Sequence, residues 1–202
     1  MLESWLHCKV PTGDLNITTV FAFVNASTDA PHLLMEFIQG SPTSLILFMD
    51  LLPRKDLVCH PEYLDEFYTS THLDNSRQDL EKVPQVSPYR SSSLYIRSVL
   101  SPTAIAVNVD CGAEGESCME ELIGVHIRRA AQEIVGVWLD KCASGMKDLE
   151  EPVRDGLLKR DSLIKSKTVE IDLAANLPRL FGSETASRIV GEIQKAFRMK
   201  ET

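Results

Sequence analysis

Two apolar runs joined by a tight reversal constrain the fold of this chain more than any other stretch. Leu33 to Ile38 reads LLMEFI and Leu45 to Leu52 reads LILFMDLL, and between them lies Gln39-Gly40-Ser41-Pro42-Thr43. The Gly and Pro supply the backbone angles of a turn, so the two runs are predicted to form a hairpin. Alternation places Leu33, Met35 and Phe37 on one face and Leu34, Glu36 and Ile38 on the other. Both faces are then apolar, as in a sheet covered on both sides. Glu36 is the exception. An ionised carboxylate between Leu34 and Ile38 is costly to bury and is expected to raise its pKa or find a partner, which makes it a candidate proton donor. The ordinary alternative is an edge-strand residue facing water, and the pattern leaves both readings open.

The rest of the chain divides by period. Leu15 to Val24 alternates and predicts a strand, followed by a polar loop from Asn25 to Pro31. Pro61 to Tyr68 predicts a short helix, and Thr69 to Ser93, polar and broken by Pro84 and Pro88, a long surface loop. Leu94 to Leu100 and Thr103 to Asp110 read as a second hairpin around Ser101-Pro102. From Cys118 the spacing becomes helical through Met119, Leu122, Ile123, His126, Ile127, Ala130, Ile134, Trp138 and Leu139, ending near Gly145. Another helix begins at Glu151-Pro152 and passes Leu157, Leu158 and Ile164. Val169 to Leu173 fits either state and is taken as helix. Pro178 and Gly182 break the chain before a last helix with Ala186, Ile189, Val190, Ile193 and Phe197 inward. Strands first and helices second predict an α+β fold, an antiparallel sheet with helices packed on its faces. There is no glycine-rich phosphate loop to support a dinucleotide fold or a nucleotide hydrolase.

A chain of 202 residues is expected to fold as one domain over 1–202. Its net charge of -8 and pI near 5.1 argue against nucleic acid as a partner. The five cysteines are odd in number and irregular in spacing, which reads as reduced thiols, and no spacing suggests a metal site. The longest apolar runs are too short to span a membrane, and Met1 to Val10 offers no targeting segment. His32 and His126 read as structural residues. Asp172, among Val169, Ile171 and Leu173, has the ordinary reading of a carboxylate at a helix end. The basic residues of the 154 to 167 and 188 to 200 segments, Lys159 and Arg160 among them, are either a solvated helix face or a docking patch for an acidic protein.

Three segments, NASTDAPHLLMEFIQGSPTSLILFMDLLPRKDLV, SLYIRSVLSPTAIAVNVDCG and SKTVEIDLAANLPRLFG, resemble red chlorophyll catabolite reductase of plants, a relative of the ferredoxin-dependent bilin reductases. The resemblance implies an α/β/α sandwich around an antiparallel sheet and an enzyme of chlorophyll breakdown in the chloroplast stroma. It implies no bound cofactor, with electrons passing from reduced ferredoxin to an open-chain tetrapyrrole, red chlorophyll catabolite. The family's pocket acids fall by motif on Glu36 and Asp172, and Leu100 falls beside the site. Lys159 and Arg160 become the expected ferredoxin contacts, and a homodimer is one expected assembly. Family chains carry a further N-terminal region of strands and helix before the segment matched here. Two rival readings are a non-catalytic tetrapyrrole-binding or carrier protein and a bilin reductase of other specificity.

Overall fold

The structure is a computed structural model that describes residues 1–10, 13–143 and 145–199. Six strands form one antiparallel sheet: β1 (Leu2–Val10), β2 (Gly13–Ala22), β3 (His32–Ser41), β4 (Ser44–Leu52), β5 (Val86–Pro88) and β6 (Ile105–Asp110). Their order is β1-β2-β3-β4-β6-β5, so the first four follow the chain and β6 joins outside β4. The hairpin predicted from the two apolar runs is β3-β4, with Leu34 opposite Asp50 and Glu36 opposite Phe48. Because neighbours in register share a face, Ser4, Thr19, Glu36, Phe48 and Ala106 stand in one row across the sheet.

Helices cover both faces, which gives the three-layer sandwich. On the face of the odd-numbered residues of β3 and β4, the buried Leu33, Leu47, Met49 and Leu51 join Val107 and Val109. Over them lie α1 (Pro61–Leu64), α2 (Leu73–Glu81), α4 (Gly115–Glu121) and α5 (Arg128–Trp138). Tyr63, Phe67 and Tyr68 are fully buried there, and the Tyr68 hydroxyl donates to the Leu51 carbonyl at 2.8 Å. The opposite face packs a smaller cluster, Phe21, Leu52, Ile164, Val169, Ile193 and Phe197. Its helices are α6 (Glu151–Lys167), α7 (Ala174–Phe181) and α8 (Ser183–Ala196). Wide π-turns join α4 to α5 at Leu122–Ile127 and α6 to α7 at Thr168–Leu173, and others extend the ends of α1 at Asp65–Thr69 and of α5 at Leu139–Ala143.

Several expectations are corrected. Leu94 to Leu100 is not a strand: Leu94–Val99 is a short helix, α3, whose N-cap Ser93 accepts a hydrogen bond from the Ile96 amide at 3.3 Å. The second hairpin therefore does not form, and the inner partner of β6 is β4. The segment 69–93 is not a bare loop, because it holds α2 and β5. In α2, Leu73 and Leu80 are buried while Arg77 pairs with Asp74 and Glu81 on the outside. Met1 to Val10, given no element above, contains edge strand β1, with half-buried Leu2, Ser4 and Leu6 alternating with exposed Glu3, Trp5 and His7. Pro178 lies within α7, and Gly182, at φ 75°, ends that helix. Ile123, His126 and Leu139 are exposed rather than on the buried stripe, because π-turns within the run rotate the helix faces that follow.

Candidate active site

Glu36 lies in mid-strand on β3, on the face beneath α6 to α8, and is half-buried. The Thr19 hydroxyl on β2 donates to Glu36 Oε1 at 3.2 Å, and Phe48 on β4 is the buried neighbour on the other side. Towards the start of β3, Leu34 packs against the cluster of the C-terminal helices. Towards the end of the strand, Ile17, Ile38 and Ile46 are half-buried and stand outside that cluster. Glu36 thus occupies the boundary between a covered half of the sheet face and an apolar shelf. Such a shelf suits a large, flat, mostly apolar ligand with a few polar groups aimed at it.

The other expected site residues distribute as follows. Leu100, half-buried, leaves α3 in extended conformation and packs against the same cluster as Leu34. Asp172 lies in the π-turn Thr168–Leu173, and its neighbour Leu173 also packs against that cluster. The side chain of Asp172 lies outside the described residues. Leu34, Leu100 and Leu173 therefore bring three segments to one cluster: the Glu36 strand, the end of α3 and the turn that carries Asp172. Lys159 is exposed on α6, whereas Arg160 is half-buried and donates from Nε to the Pro53 carbonyl at 2.9 Å. A separate groove of about 780 Å³ lies between β1 and α8, lined by Leu2, Leu6, Arg188, Ile189 and Lys195, and holds none of these residues.

Two groups of buried charges on the face of Glu36 were not anticipated. The first joins β3 to α6. His32, fully buried, meets Asp161 Oδ1 through Nε2 at 2.9 Å, and its Nδ1 accepts from the Val24 amide at 3.2 Å. An accepting Nδ1 leaves the proton on Nε2, so the ring is a neutral donor to the carboxylate. Arg54 reaches both oxygens of Asp161, at 3.0 Å from Nε and 2.7 Å from Nη2, and its Nη1 donates to the carbonyls of Asn25 and Thr28. Burial alone would raise the Asp161 carboxyl, but hydrogen bonds from His32 and Arg54 hold it below the ordinary range. Burial also lowers the His32 pKa, against the pull of Asp161. Both ring nitrogens of His32 are thus satisfied within the fold. The second group is Asp50 on β4, withdrawn from solvent on the same face as Glu36. Its carboxylate accepts from the Ser101 amide at 2.7 Å and the Ser101 hydroxyl at 2.5 Å. Burial pushes this carboxyl up to about 6, and the Ser101 bonds only partly oppose the shift.

The signal for Asp50 was present in the sequence, since FMDLL sets an acid in an apolar run just as LLMEFI does. For Asp161 there was none: it sits in the charged segment LKRDSL, and its partners are 107 and 129 residues away.

The family model described as red chlorophyll catabolite reductase (RCC reductase) matches residues 1–195. The chain is 51% identical over 201 residues to red chlorophyll catabolite reductase 1, chloroplastic, of Oryza sativa subsp. japonica, covering 100% of this chain and 61% of that protein. It is 51% identical to the Hordeum vulgare red chlorophyll catabolite reductase, covering 100% and 98%, and 46% identical to the chloroplastic Arabidopsis thaliana protein, covering 98% and 62%. The chain thus spans about three fifths of the length of the rice and Arabidopsis relatives. Among solved structures, phytochromobilin synthase from tomato, in complex with biliverdin, shares the fold with a TM-score of 0.70 at 16% identity, covering 92% of this chain and 62% of that one. With the six-stranded antiparallel sandwich in place and the family model running from Met1 almost to the last helix's end, the chain belongs to the red chlorophyll catabolite reductase family.

Proposed function

We propose that this chain, acting as one domain, reduces red chlorophyll catabolite to primary fluorescent chlorophyll catabolite in the chloroplast stroma. Two electrons come one at a time from reduced ferredoxin and two protons come through the chain's own carboxyl groups, with no bound cofactor. The observation that carries this reading is Glu36, a half-buried acid on an apolar sheet face, in a chain whose relatives at 46–51% identity are named red chlorophyll catabolite reductase. The tomato neighbour was solved with biliverdin, an open-chain tetrapyrrole of the same general shape.

A tetrapyrrole laid over Ile17, Ile38 and Ile46 would exclude water from Glu36 and favour its protonated form, so that a proton is held at the substrate when an electron arrives. The Thr19 hydroxyl orients the Glu36 carboxyl for that transfer. Asp172, whose turn reaches the same cluster through Leu173, is the second acid of the proposal, and Leu100 bounds the substrate. For ferredoxin, exposed Lys159 and Arg188 make no ion pair among the described residues, whereas Lys167 and Lys195 are paired with Glu170 and Glu192. Lys159 is the central contact and the partly enclosed Arg160 its support.

An anaerobic assay with reduced ferredoxin and red chlorophyll catabolite tests the reading. Formation of the fluorescent product is the expected result, and tight substrate binding without turnover would replace the enzyme with a carrier.

A further inference from the structure

Strands β3 and β4 carry two acids on the face beneath α6 to α8, Glu36 and Asp50, and only Glu36 has a use so far. Asp50 has no exposed surface. Ser101 donates to its carboxylate from the amide at 2.7 Å and from the hydroxyl at 2.5 Å. Beyond Ser101 the chain of oxygens goes on: the Ser101 hydroxyl lies 3.1 Å from the Thr103 hydroxyl and accepts from the Thr103 amide at 3.1 Å. Thr103 in turn lines a cavity of about 520 Å³, shared with Asp74 and with the exposed His72 and Asn75. Three side chains thus lead from a surface cavity to the buried acid.

Counting protons fixes the direction of this chain. A hydroxyl has one proton to give, and that of Ser101 is committed to Asp50, so the Thr103 hydroxyl is the donor in its contact with Ser101. Every proton points inward. An anchor for the carboxylate would be complete with Ser101 alone, which supplies both bonds; the second hydroxyl adds a path to solvent. Burial raises the Asp50 carboxyl to about 6, so it takes up and gives back a proton at little cost near neutral pH. The inner end adjoins the proposed site. Asp50 lies opposite Leu34, and Glu36 is its diagonal neighbour, about 7–8 Å away by strand geometry. Both carboxyl groups rise from one sheet face, and a single enclosed water spans such a gap.

We propose that Thr103, Ser101 and Asp50 form a proton relay that reloads Glu36 from the Thr103 cavity while the substrate covers the apolar shelf. The proposal rests on the reductase reading above, in which the bound tetrapyrrole shuts solvent away from Glu36. After Glu36 has given its proton to the substrate, Thr103 takes one from solvent and passes its own to Ser101. Ser101 passes its own to Asp50, and Asp50 hands the proton through the enclosed water to the Glu36 carboxylate. The net change is one proton moved from solvent to Glu36. Only O–H bonds break and form, no electron moves, and the two hydroxyls then rotate back. Asp50 touches no substrate; it acts through Glu36.

The test is steady-state reduction of red chlorophyll catabolite under saturating reduced ferredoxin, in ordinary and in heavy water, with the thermal midpoint of each protein. The variants are Thr103→Val, Thr103→Ser, Ser101→Ala and Asp50→Asn in the full chain. Thr103→Val keeps the shape and removes the outermost hydroxyl. Its kcat should fall about tenfold with KM unchanged, less than the roughly 10²- to 10⁴-fold of a direct proton donor, because Glu36 still reloads when product leaves. Its solvent isotope effect should rise as proton delivery becomes limiting. Thr103→Ser, which keeps the hydroxyl, should restore both values. Joining Thr103→Val to Asp50→Asn should cost no more than the larger single loss, since both interrupt one path. A lower thermal midpoint with an unchanged isotope effect would make the hydroxyls a mere fastening of the loop, and that result overturns the relay. A folded Thr103→Val with unaltered kcat overturns it as well. If Asp50→Asn does not fold, Thr103→Val decides alone, since it leaves the carboxylate and both its Ser101 bonds in place. In either failure, product from the unmodified chain leaves the reductase reading standing. No product from the unmodified chain overturns both.

Discussion

The two faces of the sheet are built on different principles. Beneath α1, α2, α4 and α5, the strands present an unbroken apolar surface: Leu47, Met49, Leu51, Val107 and Val109 are all withdrawn from solvent. The Tyr68 hydroxyl buried there donates to the Leu51 carbonyl, and the buried carboxylate of Asp29, at the edge of the Tyr63 and Phe67 rings, pairs with Lys55 and Lys147. Beneath α6 to α8 the apolar cluster is smaller, and it adjoins Asp50, the ionic group of His32, Arg54 and Asp161, and half-buried Glu36. Buried charges seldom improve on a well-packed apolar core, so the denser set on this second face marks where geometry matters more than stability. One face holds the molecule together, and the other holds a few groups in place.

The largest expected effect is on the second face. Glu36→Gln keeps shape and removes the transferable proton, and should lower turnover by about 10²- to 10⁴-fold with substrate affinity nearly unchanged, measured under saturating reduced ferredoxin. Asp172→Asn should act similarly, with the two losses less than additive. Full activity in both variants would falsify their assignment as proton donors. Asp161→Ala leaves Arg54 and His32 buried beside an empty place, and urea titration should show a loss of about 3–5 kcal/mol, the sharpest sign that this face depends on paired charge. On the apolar face, Leu47→Ala should cost about 2–5 kcal/mol by cavity formation, while the folded fraction keeps its KM. A large KM change there would break the division between the faces.

Smaller effects refine the comparison. The Asp50 pKa rises from 3.8 unfolded to about 6 folded, so the folded state binds the extra proton and Asp50 lowers stability as pH climbs through that window. The loss is complete above about pH 6. Asp50→Asn removes this dependence, and its stability relative to the unmodified chain should rise between pH 4 and 7 by on the order of 3 kcal/mol. A flat difference curve would show that Asp50 ionises in place without penalty. Smallest of all, charge reversal at Lys159 and Arg160 should raise the ferredoxin concentration for half-maximal rate roughly two- to fivefold at low salt, and by less at high salt.

What the sequence disclosed follows the same division. Two apolar runs around a Gly-Pro turn disclosed the β3-β4 hairpin, and period disclosed strand β2 and the helical runs beginning near Cys118, Glu151 and Ser183, although not the shift of the buried stripe at the π-turn Leu122–Ile127. It misread SLYIRSV, where Leu, Tyr, Ile and Val suggested a strand while Ser93 in fact caps a helix end. It passed over α2, whose polar outer face lowers the average hydropathy although Leu73 and Leu80 point inward. Of the site, Glu36 stood out because one acid interrupts an apolar strand. The roles of Leu100 and Asp172 came only with the family resemblance. Asp161 and Arg54 were invisible because ordinary helix and loop positions acquire their importance from partners far along the chain.

The π-turn at Thr168–Leu173 has a consequence for heredity. A wide turn amounts to one residue inserted into a regular helix, so deleting any one residue between 168 and 173 would restore a continuous α-helix from α6 into α7. It would also rotate every side chain beyond that point by about 100°. The clamp at Asp161 would survive while Leu177, buried on α7, turned towards solvent. Substitutions at exposed Glu170 should pass unnoticed among descendants of this gene, whereas a single lost codon beside it would not.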